Sequence, residues 1–353
     1  MPDPLILFRA ILTLAAAVVA GGLLDSAGMP LGWLVGAMLA MIAASLMRLP
    51  AVQPTRVLPF VKGAVGTMLG ASIPAGLADS FANWWPSLLG MFAVMLLGGW
   101  LNFTALRRIF GFPRMDAALC AMPGGISEMI LLGEQAGADQ RRVAIVHALR
   151  IALSILIIPL VAGLVFGMTV GSSGDLPPVQ MSPADWLWFG LCVLSGVAAD
   201  RWTRLPIPLI LVPLVVSAAL HLTGMSAFHV PPAIAIAIQV MIGINVGARF
   251  LGISPYALAH VALAACMVAG IQMALAVAAA LAMAATGRWD ALALMLAYAP
   301  GGLAEMSLIA VTMGREVAFV VFHHILRVLF ALFAAPPLLL RLRRTPDDPA
   351  SPA

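Results

Sequence analysis

Charge is what this chain has least of. Only 10% of its 353 residues are Asp, Glu, Lys or Arg, while 62% are hydrophobic and the mean hydropathy is +1.05. An ordinary soluble domain carries about 25% charged residues, so a water-facing surface cannot be covered from this stock. Cysteine is also scarce. Cys120, Cys192 and Cys266 lie far apart with no CxxC, which argues against a disulfide framework or a zinc site and leaves packing as their role. The six histidines (147, 221, 229, 260, 323 and 324) include no HxH or HxxxH pair. Adjacent His323 and His324 would point about a hundred degrees apart on a helix. A copper or iron oxygenase centre therefore lacks its ligand cluster, and neither a metal nor a cofactor is expected. A soluble basic domain is missing too: the one candidate tail, RLRRTPDDPASPA, is short and proline-rich, so no nucleic-acid partner is expected. The net charge of +4 instead reports which loops face the cytoplasm.

What the chain does have is apolar runs of membrane-spanning length, roughly 20 residues each. They fall near 5–24, 31–48, 57–77, 84–106 and 141–168, and again near 184–200, 207–223, 232–250, 255–286 and 316–340; two further segments, 116–135 and 290–312, are interrupted. The lipid bilayer is thus the first partner, and the chain reads as an all-α polytopic membrane protein. The opening MPDPLILFRAILTL carries an Arg inside a run that continues to Leu24, and it is expected to be a retained first helix rather than a signal peptide.

The two interrupted segments carry a motif written twice, AMPGGISEM at 121–129 and YAPGGLAEM at 298–306. A shift of 177 (300 − 123) places Pro123, Gly124, Gly125, Glu128 and Met129 on Pro300, Gly301, Gly302, Glu305 and Met306. The same shift puts His147 on His324, Arg150 on Arg327, Pro159 on Pro336, and Gly66, Gly70 and Ala71 on Gly243, Gly247 and Ala248. The expected organisation is a first membrane repeat at 1–168, a linker at 169–182 containing GSSGDLPPVQ, a second repeat at 183–341 and a cytoplasmic tail at 342–353.

Whether each interrupted segment crosses the membrane decides the topology. Crossing gives six spans per repeat and parallel repeats; entering and returning gives five spans and inverted repeats. Basic residues discriminate. With a cytoplasmic N-terminus, the inverted arrangement puts Arg48, Arg56, Arg107, Arg108, Arg114, Arg141, Arg142, Arg201, Arg204, Arg249, Arg341, Arg343 and Arg344 inside. Arg288 and Arg315 fall outside, near Asp290 and Glu316, as does the acidic linker with Asp175 and Asp185. The parallel arrangement would move Arg141, Arg142, Arg201, Arg204 and Arg249 outside. The expectation is two inverted repeats of about five transmembrane helices, each with a PGG-broken re-entrant hairpin, and both termini cytoplasmic.

Proline removes a helix donor and a glycine pair holds a helix poorly, so each segment breaks at Pro123-Gly124-Gly125 or Pro300-Gly301-Gly302. About ten residues on each side rise roughly 15 Å, which places the break near the bilayer midplane. Irregular backbone there must be buried in protein or line a cavity. Glu128 and Glu305 have two readings: a cap on the first turn of the second half-helix, or a carboxylate with a partner or proton in a central site. His147 and Arg150, like His324 and Arg327, share a helix face. Each Arg either pairs with a Glu or a substrate anion or snorkels to the interface, and each His either handles protons or packs. Gly66xxxGly70 and Gly243xxxGly247 suit close helix packing. Lys62 and Gln239, and Asn245 with Arg249, either line a polar path or face an interhelical contact. Trp84, Trp85, Trp186 and Trp188 sit where interfacial anchors belong.

The duplicated unit with its paired PGGxxEM hairpins resembles the bacterial AbrB membrane-protein family, sometimes labelled an ammonia monooxygenase and distinct from the small DNA-binding AbrB factors. The resemblance covers nearly the whole chain. It implies a link to regulation of gene expression and no defined substrate. In architecture alone, five-plus-five inverted units with hairpins are similar to citrate and bile-acid carriers. The leading expectation is a secondary transporter, not an enzyme, in the bacterial inner membrane. It would move a small solute, with anions favoured by exposed N–H groups and arginines and protons coupled through a carboxylate. The alternatives are a membrane protein acting indirectly on gene expression, and an oxygenase-like enzyme. Homo-oligomerisation stays open.

Overall fold

The computed structural model describes residues 4–166 and 180–344, apart from 30, 75, 77–80, 82, 123, 125, 204 and 206, and apart from the side chains of 4, 127, 128, 343 and 344. Pro123, Gly125, the Glu128 side chain, Arg204, linker residues 171–179 and the tail from 345 therefore lie outside the described residues.

Among the described residues every regular element is a helix. The first repeat supplies α1 (Pro4–Ser26), α2 (Gly32–Leu46), α3 (Leu58–Ala71), α4 (Trp85–Arg108), α5 (Arg114–Ala121), α6 (Ile126–Ala136) and α7 (Gln140–Phe166). The second supplies α8 (Pro183–Trp202), α9 (Pro208–Leu222), α10 (Pro232–Gly247) with a 3-10 turn at Ala248–Phe250, α11 (Pro255–Ala284), α12 (Ala291–Tyr298), α13 (Leu303–Thr312) and α14 (Val317–Arg344). Shifted by 177, the first seven fall on the second seven, and α5 lands on α12 residue for residue (114 + 177 = 291, 121 + 177 = 298).

Local chemistry sets the boundaries. Proline in the first turn opens α3, α4 and α8 to α11, where its missing N–H costs nothing. Ser182 and Asp185 form a capping box at α8. Gly137 and Gly314, counterparts under the shift, end α6 and α13 at φ 73° and 60°. There the Ala138 N–H reaches Gly133 O at 2.9 Å and the Arg315 N–H reaches Ala310 O at 3.0 Å, the closing bond of a Schellman turn.

Six of these helices are long and apolar enough to cross a membrane: α1, α4, α7, α10 with its 3-10 turn, α11 and α14. The other four expected spans are shorter or more polar at their ends. Helices α2, α3 and α9 have 15, 14 and 15 residues. At 1.5 Å per residue they reach only about 21–23 Å, short of a roughly 30 Å hydrocarbon core. Helix α8 has 20 residues, with Asp185, Asp200 and Arg201 near its ends.

The compact units do not follow the repeats. One is built from Met1–Ala82, Pro159–Gly252 and Ala304–Ala318, the other from Asn83–Ile158, Ile253–Leu303 and Phe319–Ala353. Three of the passages between them fall inside helices: after Leu303 in α13, after Ala318 in α14, and at Pro159 in α7, where proline removes one intrahelical hydrogen bond.

In the first unit, α2 packs against α1 and α10, and α9 packs against α8 and α3. The two GxxxG pairs make these contacts close. A methyl group on Gly66 would run into the Ile210 carbonyl of α9, and one on Gly243 into the Leu34 carbonyl of α2. Ser217 on α9 adds a 2.8 Å bond to Thr67 O on α3.

In the second unit, α4 and α11 run antiparallel. Gly90 faces Met283, while Gly98 faces Leu275, its own counterpart under the 177 shift. Leu106, Leu119, Met129, Val146 and Val268 are among the apolar side chains that close this unit's core around the first broken segment.

Candidate functional site

The first broken segment doubles back on itself. The Asp139 N–H, just beyond α6, reaches Asp116 Oδ1 in the first turn of α5 at 3.0 Å, and Arg142 pairs with the same carboxylate. Gly133 on α6 faces Leu119 on α5. The open ends of α5 and α6 therefore meet, and Met122 and Gly124 lie at the tip of a hairpin. At that tip, Ala121 O lies beside Gly99, next to the point where α4 crosses α11. Gly99 sits inside the 24-residue α4, more than 10 Å from either end at helical rise.

A half-helix that stops at this depth leaves its last carbonyls without intrahelical donors. In hydrocarbon each costs several kcal/mol if left unmet. The His and Arg of the repeat meet them. His147 Nε2 donates to Leu119 O at 3.0 Å, and His324 Nε2 donates to Leu296 O at 2.9 Å. Arg150 donates from Nη1 to Met122 O at 2.9 Å and from Nη2 to Gly124 O at 3.0 Å. Arg327 makes the same fork to Ala299 O and Gly301 O. Each of these residues and carbonyls is the other's counterpart under the 177 shift. All four side chains are at most 6% exposed, so the arginines face inward rather than snorkelling. The planar fork suits two carbonyls two residues apart, and a cation there also answers the negative end of the half-helix dipole.

The structure brings both breaks to α7. One turn past Arg150, the buried Ser154 Oγ lies 2.8 Å from Pro300 O and 2.7 Å from Arg150 O, sharing its proton between them. Residues of one helix thus hold Gly124 at the first break and Pro300 at the second. Ser154 has no polar counterpart: its mate under the shift is Ala331 (154 + 177). Beside the first tip, a cavity of about 330 Å³ is lined by apolar side chains that include Met95, Trp100, Met122 and Phe330.

Glu305 sits in the first turn of α13 and is 4% exposed. Its described cationic partner is Arg249, whose Nη2 lies 3.4 Å from Glu305 Oε1. Arg327, the arginine of its own repeat motif, is committed to carbonyls instead. Arg249 stands one helical turn beyond Asn245, whose Oδ1 accepts from Gln53 Nε2 at 2.8 Å. Sequence reading placed Asn245 and Arg249 on one face and did not join them to Glu305 or Gln53.

A second histidine was also missed. Fully buried His323 donates from Nδ1 to Phe319 O at 2.8 Å and faces Ser87 Oγ with Nε2 at 2.8 Å. Tyr298, the last residue of α12, donates to Ser87 O at 2.6 Å, so this cluster fixes the second half-helix against α4. Among the described residues, no three His, Cys, Asp or Glu side chains come together as a metal site would require.

Comparison with known proteins gives one family. Its model, described as "Transition state regulatory protein AbrB", matches residues 33–343. A Bacillus subtilis protein named "Uncharacterized protein YhjN" is 24% identical over 92% of this chain and 90% of its own length. An Escherichia coli K12 protein named "Putative regulator AbrB" is 26% identical over 90% of this chain and 91% of its own length.

Proposed function

The chain belongs to the AbrB family, and from that premise we propose that it is a secondary transporter of the bacterial cytoplasmic membrane, with both termini cytoplasmic. The observation that carries this reading is the meeting of two broken segments on one helix, with Arg150 on Gly124 O and Ser154 on Pro300 O. Irregular backbone at membrane depth is tolerated where it is buried in protein or lines a path. Opposed broken segments from two repeats are the usual way such a path is built. The antiparallel course of α4 and α11 supports reading the repeats as inverted.

In this reading the solute passes at the paired breaks. Arg150, Arg327, His147 and His324 hold the tips in shape. Glu128 and Glu305, which follow the breaks in sequence, carry the proton that drives transport. The solute is small, and positive charge not balanced by carboxylates favours an anion.

A panel uptake screen in proteoliposomes tests the proposal, with the Glu128→Gln/Glu305→Gln double variant as control. The expected outcome is uptake of at least one small solute, driven by an imposed pH gradient and lost in the double variant. Uptake that ignores the double substitution removes the coupling role.

The name of the E. coli relative favours a second reading, an indirect role in gene expression. A deletion phenotype fully rescued by the transport-dead double variant would select partner binding over transport.

A further inference from the structure

Three of the arginines near the breaks are not used alike. Arg150 and Arg327 each spend Nη1 and Nη2 on backbone carbonyls. Arg249 does not. It projects from the 3-10 turn that ends α10, and that turn is firmly held. Ser45 Oγ donates to Phe250 O, and Gly243 and Gly247 seat α10 directly on α2. Its guanidinium is therefore well placed yet poorly satisfied. Nη2 is 3.4 Å from Glu305 Oε1, longer than the 2.7–2.9 Å of a good charge-assisted bond. Nη1 is buried and has no hydrogen-bond partner among the described residues.

A loose ion pair with an idle donor makes a poor structural staple, because desolvation costs both charges more than one long contact returns. It makes a good exchange site. Gln53, Asn245 and Arg249 are each partly exposed, and Glu305 is 4% exposed. Polar groups thus lead from the loop after α2 inward to a carboxylate.

We propose that Arg249 and Glu305 form an exchangeable anion site for a small carboxylate or comparable oxyanion. The anion takes Nη1 and Nη2 together, in the two-pronged geometry a guanidinium offers. Glu305 leaves Nη2 and takes up one proton as the anion arrives. The site is neutral before, as Arg⁺ with Glu⁻, and neutral after, as Arg⁺ with the anion and protonated Glu305. One proton therefore accompanies each monovalent anion, and no net charge is stranded at membrane depth. Helices α13, α10 and α2 carry no other titratable residue; α3 adds Lys62, α1 adds Arg9 and Asp25, the loop after α2 adds Arg48 and Arg56, and Arg315 and Glu316 follow the far end of α13. The counterpart of Arg249 is Ser72 (72 + 177), so only the second repeat has this site. The coupling role, though not the binding itself, rests on the transport reading above.

The test uses purified full-length protein with sodium acetate as the probe and sodium chloride at equal ionic strength as the reference. Thermal unfolding is followed near about pH 5.5 and about pH 8, because an anion that brings a proton with it binds more tightly at the lower pH. At about ten times Kd, acetate should raise the wild-type midpoint by about 3–6 °C at the lower pH and by less at the higher. Glu305→Gln should respond equally at both pH values, and Arg249→Gln at neither. Arg249→Lys keeps the charge without the fork and should respond weakly, which guards against a merely misfolded Gln variant. An acetate response unchanged in Arg249→Gln and Arg249→Lys overturns the site, as does none in wild type or Glu305→Gln. A wild-type pH dependence retained in Glu305→Gln overturns the exchange. Uptake that survives Arg249→Gln unchanged overturns the site while leaving the transport reading standing. The expected acetate pattern in a protein that moves no solute supports the site and removes transport.

Discussion

Replacing Arg150 by lysine changes no charge and almost no volume, yet it removes the fork that spans Met122 O and Gly124 O at 2.9 and 3.0 Å. An ammonium can serve one of these carbonyls well, not both. A hydrogen bond to a charged group contributes about 1.5–3 kcal/mol, so losing one should cost about that much. Glutamine, which also loses the charge, should cost about 3–5 kcal/mol, because two buried carbonyls are then left to one neutral amide. For a cooperative unit of 150–250 residues, a kcal/mol lowers the midpoint by about 2–4 °C, so Arg150→Lys should unfold about 3–12 °C earlier. A second readout is local. Cys120 lies on α5, fully buried, while Cys266 is exposed. In a Cys266→Ser background, a membrane-permeant maleimide should leave Cys120 unlabelled in the parent and label it steadily in the lysine variant, as the end of α5 frays. An exposed or snorkelling arginine would tolerate lysine within about 0.5 kcal/mol. An Arg150→Lys protein with the parent's midpoint and a silent Cys120 would refute the capping argument.

Four further substitutions, one of them a control, probe other parts of the framework. Gly243→Leu should drive α10 off the Leu34 carbonyl and cost at least about 1–3 kcal/mol of overpacking, seen as a lowered midpoint, whereas Gly270→Leu, which faces open space, should be neutral. Asp116→Asn should loosen the hairpin by removing the Arg142 ion pair at its open end, and limited proteolysis near 137–142 should speed up several-fold while total helix content by circular dichroism holds. Ser154→Ala removes a single bond worth about 1 kcal/mol, so the midpoint should fall by only a few degrees. Solute uptake should fall far more than stability if the two breaks must stay registered, and equal small losses would count against that.

Much of the framework is legible in the order of residues alone. Pro-Gly-Gly fixes where α5 and α12 stop, because proline and paired glycine act locally and leave little to tertiary context. The spacing of His and Arg three apart already puts both on one face of α7 and α14. What they face is not local. Leu119 O and Met122 O are backbone atoms, identical in every residue, so no side-chain pattern advertises them as partners. For the same reason the sequence left Arg150 and Arg327 between an anionic partner, a Glu or a substrate, and the interface, and the structure puts them on carbonyls. Arg249 and Glu305 stand 56 residues apart, and Ser154 and Pro300 146 apart. Both pairs break the internal symmetry: Arg249 matches Ser72, and Ser154 matches Ala331. A search by repeat finds what the two halves share and passes over what one half alone possesses. Apolar runs and helices differ in extent for a different reason. The apolar runs at α2, α3 and α9 continue past the helices themselves, into residues such as Leu31 and Ile207 that adopt left-handed backbone just before α2 and α9.

The interleaving of the two repeats bears on how the molecule is made. Each compact unit draws strands of sequence from both halves of the gene, and the last piece of the first unit, Ala304–Ala318, is synthesised after almost nine-tenths of the chain. Neither unit can close while only one half exists, so insertion must outrun assembly, and helices from the first half must wait in the membrane for companions still on the ribosome. Under the inverted arrangement proposed above, the same interleaving fits an origin in two copies of one repeat meeting the opposite way up, and joining them in one chain left Ser154 and Arg249 free to arise in one half alone.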